Sequence, residues 1–151
     1  MSAEKFVYVT YIRTTPENLW DALTRPEFMR QYWYGAWQDC EWKQGSSWKL
    51  MFPDGHVADS GEVLEIDPPR KLVLKWRNEF RPELHEEGPS RATFLLEPMD
   101  DLVKLTVIHE SDATRSKLIE AVSNGWPAIL ANLKSLIETG EPLQRTRDWP
   151  K

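Results

Sequence analysis

The spacing of apolar and polar positions changes period three times along this chain. Residues 5–14, KFVYVTYIRT, alternate and are rich in β-branched and aromatic side chains, which predicts a strand. The period then lengthens. In TTPENLWDALT, Leu19, Trp20 and Leu23 fall on one face, Thr15 is placed to cap, and Pro16 suits a first helical turn. Pro26 opens a second short helix with Phe28, Met29, Tyr32 and Trp33 as its apolar stripe, and Gly35 ends it.

From residue 36 the period returns to two. AWQDCEWK, SSWKLMF, SGEVLEID, KLVLKWRNEF, RATFLLEP and LVKLTVIHE are six short segments, most of them rich in strand formers. QGS, PDGH, DPPR, the stretch RPELHEEGPS and MDD separate them as turns and loops, which predicts an antiparallel meander. Trp48, Leu50 and Phe52 share a face; so do Leu72, Leu74 and Trp76, and Leu105, Val107 and His109. A sheet with one strongly apolar face needs a cover. ATRSKLIEAVS (113–123) is weakly helical. Beyond the joint Gly125–Trp126–Pro127, the residues Trp126, Ile129, Leu130, Leu133, Leu136 and Ile137 recur at three- and four-residue steps. They predict a covering helix of three to four turns, stopped by Gly140 and Pro142.

The predicted fold is α+β, in one domain over residues 1–151, with a core at about 5–140 and a loosely held tail at 141–151. A seven-stranded antiparallel curved sheet wraps around a long C-terminal helix. Two short helices between strands 1 and 2 close one end.

Composition adds a cavity to this picture. Eight Trp among 151 residues is a high aromatic load, and Trp wants both burial and a partner for its N–H. Such a set fits a very aromatic core or an aromatic-lined hollow. Hydrophobic residues at 40% and charged residues at 28% describe an ordinary globular chain. The net charge of −5 argues against nucleic acid as a partner. One cysteine, Cys40, allows no internal disulfide, MSAEKFVYVTYIR lacks a signal-peptide layout, and no apolar run approaches the roughly 20 residues of a membrane span. A cytoplasmic protein without membrane insertion is therefore expected.

Candidate residues follow from these patterns. Trp126 sits between a flexible and a rigid residue, either as core under the sheet or as the wall and gate of a cavity; both readings need the same orientation. QYWYGAWQDCEW (31–42) crowds five aromatics, which makes Trp33 and Trp37 candidates for a cavity mouth, with an exposed patch for a protein partner as the competing reading. His109 falls on the apolar face of the seventh strand, as a hydrogen-bonded core histidine or as a pocket residue. Glu79, Glu83, Glu86 and Glu87 crowd a loop and read as solvated. Arg77, Arg81 and Arg91 flank it and could bind an anionic headgroup, an outward, salt-bridged role being the commoner one. The three histidines and one cysteine show no metal spacing, and acidic neighbours disfavour a Cys40 thiolate. No metal, cofactor or catalytic set is expected.

TPENLWDALTRPEFMRQYW (15–33), WKQGSSWKLMF (42–52), GEVLEIDPPRKLVLKW (61–76), ATFLLEPMDDLVKLTVIHE (92–110) and GWPAILANLKSLIETG (125–140) together resemble the activator of heat shock protein 90 ATPase homologue family, in the START-like (helix-grip, SRPBCC) superfamily. The resemblance covers about residues 5–140. It implies a helix-grip fold with a cavity between sheet and long helix, in which members bind lipids, polyketides, hormones or other apolar small molecules. It carries no shared catalytic motif.

The function expected from the sequence is binding of a hydrophobic or amphipathic small molecule. The lining is expected from Trp33, Trp37, Trp48, Leu50, Trp76, Phe94, His109, Trp126, Leu130 and Leu133. Two alternatives stand beside it: a chaperone-interaction module acting through its surface, and an enzyme of the polyketide-cyclase or aromatase kind, which would need a polar pair inside the cavity. The sequence leaves homodimerisation open.

Overall fold

Thr15 and Pro16 turn the chain from strand to helix. The computed structural model describes residues 4–113 and 115–143, so the stretch QRTRDWPK of the expected tail lies outside the described residues. Strand β1 (Glu4–Ile12) leads into α1 (Pro16–Thr24), where the Thr15 hydroxyl accepts the Asn18 N–H at 3.1 Å. Helix α2 (Pro26–Tyr32) follows at once. The buried Tyr32 hydroxyl donates to the Ala22 carbonyl at 2.9 Å and locks the two helices together.

Six strands come next: β2 (Trp37–Cys40), β3 (Ser47–Met51), β4 (Val57–Asp67), β5 (Lys71–Asn78), β6 (Ser90–Met99) and β7 (Leu102–Ser111). All pair antiparallel in the spatial order β1-β7-β6-β5-β4-β3-β2, so β1 alone leaves the meander order and closes against β7. Directly opposed residues share a face. One such row runs Trp48, Gly61, Trp76, Ser90 across β3 to β6. The next runs Leu50, Asp59, Asn78. These rows, with Leu74, Phe94, Leu105 and Val107, form the inner face of the sheet and the core of the protein.

Two elements depart from the sequence reading. A short helix, α3 (Pro82–His85), interrupts the stretch expected to be a loop, and its Leu84 is buried. The covering helix α4 (Lys117–Thr139) spans 23 residues and begins well before the Gly–Trp–Pro joint, which it passes without ending. Pro127 removes one helical hydrogen bond and Gly125 adds backbone entropy. Both costs are local, and the burial of Leu118 and Ile119 together with a capping Ser116 outweighs them. Helix α4 rests on β1 and β7, and against α2 and α3. Buried Asn132 fixes it to the end of α2 by donating to the Tyr32 carbonyl at 2.8 Å. Gly140, at φ 85°, ends it in the left-handed cap that the sequence predicts.

Two glycines carry opposite constraints. A Cβ on Gly61 would sit 1.7 Å from the Lys75 carbonyl oxygen, whereas a Cβ on Gly125 would meet nothing within 4 Å. Gly61→Ala is therefore expected to cost about 3 kcal/mol, while Gly125→Ala gains about 1 kcal/mol from helix propensity. Urea denaturation of the two variants beside the parent checks both signs.

Candidate functional site

Above Gly61, which offers no side chain, the rings of Trp48 and Trp76 meet at 4.5 Å. Trp33, at the end of α2, stacks on Trp76 at 6.1 Å. Trp126 of α4 then stands edge-on to both, 5.2 Å from Trp33 and 5.7 Å from Trp76. All four indoles are buried. Edge-to-face pairs of this kind add about 0.5–1.5 kcal/mol each beyond area burial.

A relay of hydrogen bonds sets the angle of Trp126. Its indole N–H donates to His109 Nδ1 at 3.2 Å. The other ring nitrogen, Nε2, lies 2.8 Å from the Ser90 hydroxyl, and that hydroxyl donates its only proton to the Trp76 carbonyl at 2.9 Å. The Ser90 oxygen must then accept from His109, which fixes the neutral tautomer with its proton on Nε2. Burial agrees, pushing the His109 pKa from its ordinary 6.5 down to about 3. His109 therefore serves as the mount of Trp126.

On the far side of these rings lies a pocket of about 460 Å³. Its walls are Trp33 and Tyr34 from the end of α2, Leu50 from β3, and Trp76 from β5. The N-terminal half of α4 supplies Leu118, Val122, Gly125 and Trp126 on the opposite side. Phe80 and Leu84, in and beside α3, rim the opening with Arg81. Phe80 stays 45% exposed and meets Phe52 edge-on at 5.0 Å. Glu87, from the loop after α3, ties this rim to α4. Its carboxylate accepts the Ser116 hydroxyl and the N–H groups of Lys117 and Leu118, the latter two at 3.1 and 3.2 Å. That is the arrangement a helix N-terminus favours.

One acid faces the pocket. Asp59 of β4 is 6% exposed and lines the cavity. The Trp76 indole and the Asn78 side-chain amide lie beside it and favour its charged form. The Asn78 oxygen points elsewhere, accepting the Arg81 and Phe80 N–H groups at 2.8 and 3.2 Å. Burial, reinforced by the negative charge of Glu79, pushes the Asp59 pKa from 3.8 up to about 7, against these two side chains.

Of the residues expected to line a cavity, Trp33, Leu50, Trp76 and Trp126 border this pocket. The other six do not. Trp48 is fully buried behind Trp76, and Phe94 packs against Trp126 at 5.7 Å. His109 hydrogen-bonds Trp126 from within the core, and Leu130 and Leu133 are core residues further along α4. Trp37 lies on the edge strand β2 beneath the Arg30 guanidinium, 5.2 Å from its ring centre. The inner face of the sheet is longer than the pocket, and dense packing fills the remainder. The sequence reading missed Asp59, Tyr34, Phe80 and the part of α4 before Gly125. Strand alternation held the signal for Asp59: two residues before Gly61, it falls in phase with the inward row. Glu79 and Glu87 also depart from the solvated reading; Glu79 accepts the Ser60 hydroxyl and pairs with His85 at 3.0 Å.

The sequence profile of the activator of Hsp90 ATPase homolog 1-like proteins matches residues 13–138. The chain belongs to this family. Its fold is that of solved structures at low identity. Protein MLL2253 from Mesorhizobium loti superposes with a TM-score of 0.76 at 23% identity, over 89% of this chain and 97% of that one. CalU16 from Micromonospora echinospora gives 0.72 at 20%, over 91% and 78%. PFC0360w from Plasmodium falciparum, described as an HSP90 activator, gives 0.71 at 23%, over 91% and 97%. Among curated proteins the sequence finds no match. Among the described residues, no helix of this family member is long and apolar enough to cross a membrane.

The two buried titratable groups bend stability with pH in opposite directions. Folded His109 refuses a proton that the unfolded chain takes below 6.5, so its contribution is lost as pH falls toward about 3. Folded Asp59 holds a proton that the unfolded chain releases above 3.8, so its contribution declines as pH rises toward about 7. Between about pH 4.5 and pH 6 the two slopes cancel. Asp59→Asn is expected to unmask the histidine, with stability rising by about 1.4 kcal/mol per pH unit relative to the parent. Denaturant titrations at several pH values measure this difference.

Proposed function

We propose that the protein binds a hydrophobic or amphipathic small molecule, lipid-like, polyketide-like or aromatic, in the pocket between the sheet and α4. The observation that carries this reading is the vacancy at Gly125. The helix keeps a destabilising glycine there, facing a hollow walled by Trp33, Trp76 and Trp126, where an added methyl group would touch nothing. The volume falls in the range of roughly 300–1,000 Å³ usual for small-molecule sites. Affinity would come from apolar burial, at roughly 25 cal/mol per Å² of surface removed from water. The exposed edge of Phe80 suits a guest whose outer end remains wet.

A chaperone-interaction reading has its own support in the family's description and in the relative described as an HSP90 activator. It would use the outside of the protein, where Val7, Val9 and Tyr11 form an exposed apolar row on the edge strand β1. A cyclase-like reaction gains nothing from His109, whose two nitrogens are both engaged behind Trp126.

Native mass spectrometry of the protein purified from its host is expected to show a fraction carrying a non-covalent small mass. Gly125→Phe, which fills the hollow and favours the helix, is expected to lose it while keeping the parent's circular dichroism. The same mass on both proteins would place the guest elsewhere. Capture of an Hsp90-type chaperone that survives Gly125→Phe but fails in Val9→Lys would favour the surface reading.

A further inference from the structure

We propose that the pocket selects guests carrying a protonated nitrogen, the cation seated against the Asp59 carboxyl and the apolar body lodged among Trp33, Trp76 and Trp126. This rests on the pocket being a ligand site and adds the chemical class it takes.

Asp59 is buried without an opposite charge beside it. A buried carboxyl is expected to have a cation or to stay protonated. Among the described residues no Lys, Arg or His pairs with it; the charge acting on it is that of Glu79, of the same sign. Glu79 itself is occupied by Ser60 and His85. Arg81, the one basic residue of the lining, sits at the rim with its guanidinium on Glu83 at 2.9 Å. The inward residues of α4, from Leu118 to Ile129, bring no charge to the pocket, and neither do Leu50 of β3 or Trp33 of α2. The remaining titratable group of the lining is Tyr34.

What surrounds Asp59 is prepared for the ionised form. The side chains of Trp76 and Asn78 favour the charged carboxyl, and the Asn78 orientation is fixed because its oxygen is taken by two backbone N–H groups. Only a positive charge is missing. The indole walls favour one: the faces of tryptophan rings attract cations, most strongly where water is excluded. A protonated amine would therefore meet a carboxylate and aromatic faces in one place. An anionic guest would meet the Asp59 charge without a buried cation to offset it.

Matched probes test this: 4-phenylbutylamine and 4-phenylbutan-1-ol, titrated against the intact protein by tryptophan fluorescence. At pH 8 the amine is expected to bind about tenfold or more tightly than the alcohol, the advantage of a charge-assisted hydrogen bond. In Asp59→Asn that preference should vanish with the alcohol's affinity retained. Calorimetry of the wild-type protein at pH 6, in two buffers of different ionisation enthalpy, asks the same question without a mutation. Amine binding is expected to release a proton from Asp59, and alcohol binding none. Equal affinities in the parent, an amine preference that survives Asp59→Asn, or amine binding without proton release would overturn the proposal while leaving the pocket as a site for neutral guests. If neither probe binds, the proposal and the pocket reading fall together.

Discussion

The N-terminal half of α4 cannot settle onto the sheet because four indoles stand in the way. Trp48 and Trp76 meet across the bare backbone of Gly61, Trp33 covers Trp76, and Trp126 comes down from the helix against both Trp33 and Trp76. Each buried indole occupies roughly 150–250 Å² of contact surface in a rigid plane. Rigid planes packed edge to face leave gaps that flexible aliphatic chains would fill. Towards β1 and β7 the later part of α4 packs Leu130, Leu133 and Leu136 into the core. Where it faces β3, β4 and β5 the rings dominate and the pocket opens.

This wedge needs polar help. An indole buries well only if its N–H finds an acceptor. Trp48 donates to Gln38 at 2.6 Å and Trp126 to His109, while the Trp76 indole lies beside Asp59 and favours its charge. Three polar residues thus enter the core beside three tryptophans. Two of them are ionisable: burial holds His109 uncharged at neutral pH and raises the Asp59 pKa to about 7. His109 is enclosed and structural. Asp59 differs because its site borders open space, so a hydrogen-bond partner can arrive from outside. The difference between a core acceptor and a candidate recognition group is then one of access.

The rim has a parallel logic. Asn78 uses its oxygen to lead into α3, and its side chain favours the charged form of Asp59. Glu87 caps α4 from the loop that follows α3. The floor of the pocket, its rim and the helix above it are therefore linked by side chains that are polar and short-range. A change at α3 would be felt at both the carboxyl and the helix start.

The strand segments, helices α1 and α2, the one-sided sheet and the Gly140 stop follow from local periodicity and turn chemistry, since each depends on neighbours within a few residues. Trp33, Leu50, Trp76 and Trp126 were legible as inward-facing for the same reason. Period alone could not say which inward residues pack solidly and which border a void, so Trp48, Phe94, His109, Leu130 and Leu133 read alike with them. The early start of α4 escaped because Gly125 and Pro127 weaken a helix locally, and the burial of Leu118 and Ile119, with Ser116 and the distant Glu87 at its start, outweighs them. Asp59 escaped because an acid just after a turn normally meets water; pairing with Leu50 on one side and Asn78 on the other turns it inward. Local chemistry along the chain set the elements and their faces. Contacts between residues far apart in sequence decided where the interior stays open, because packing density belongs to surfaces that meet only after folding.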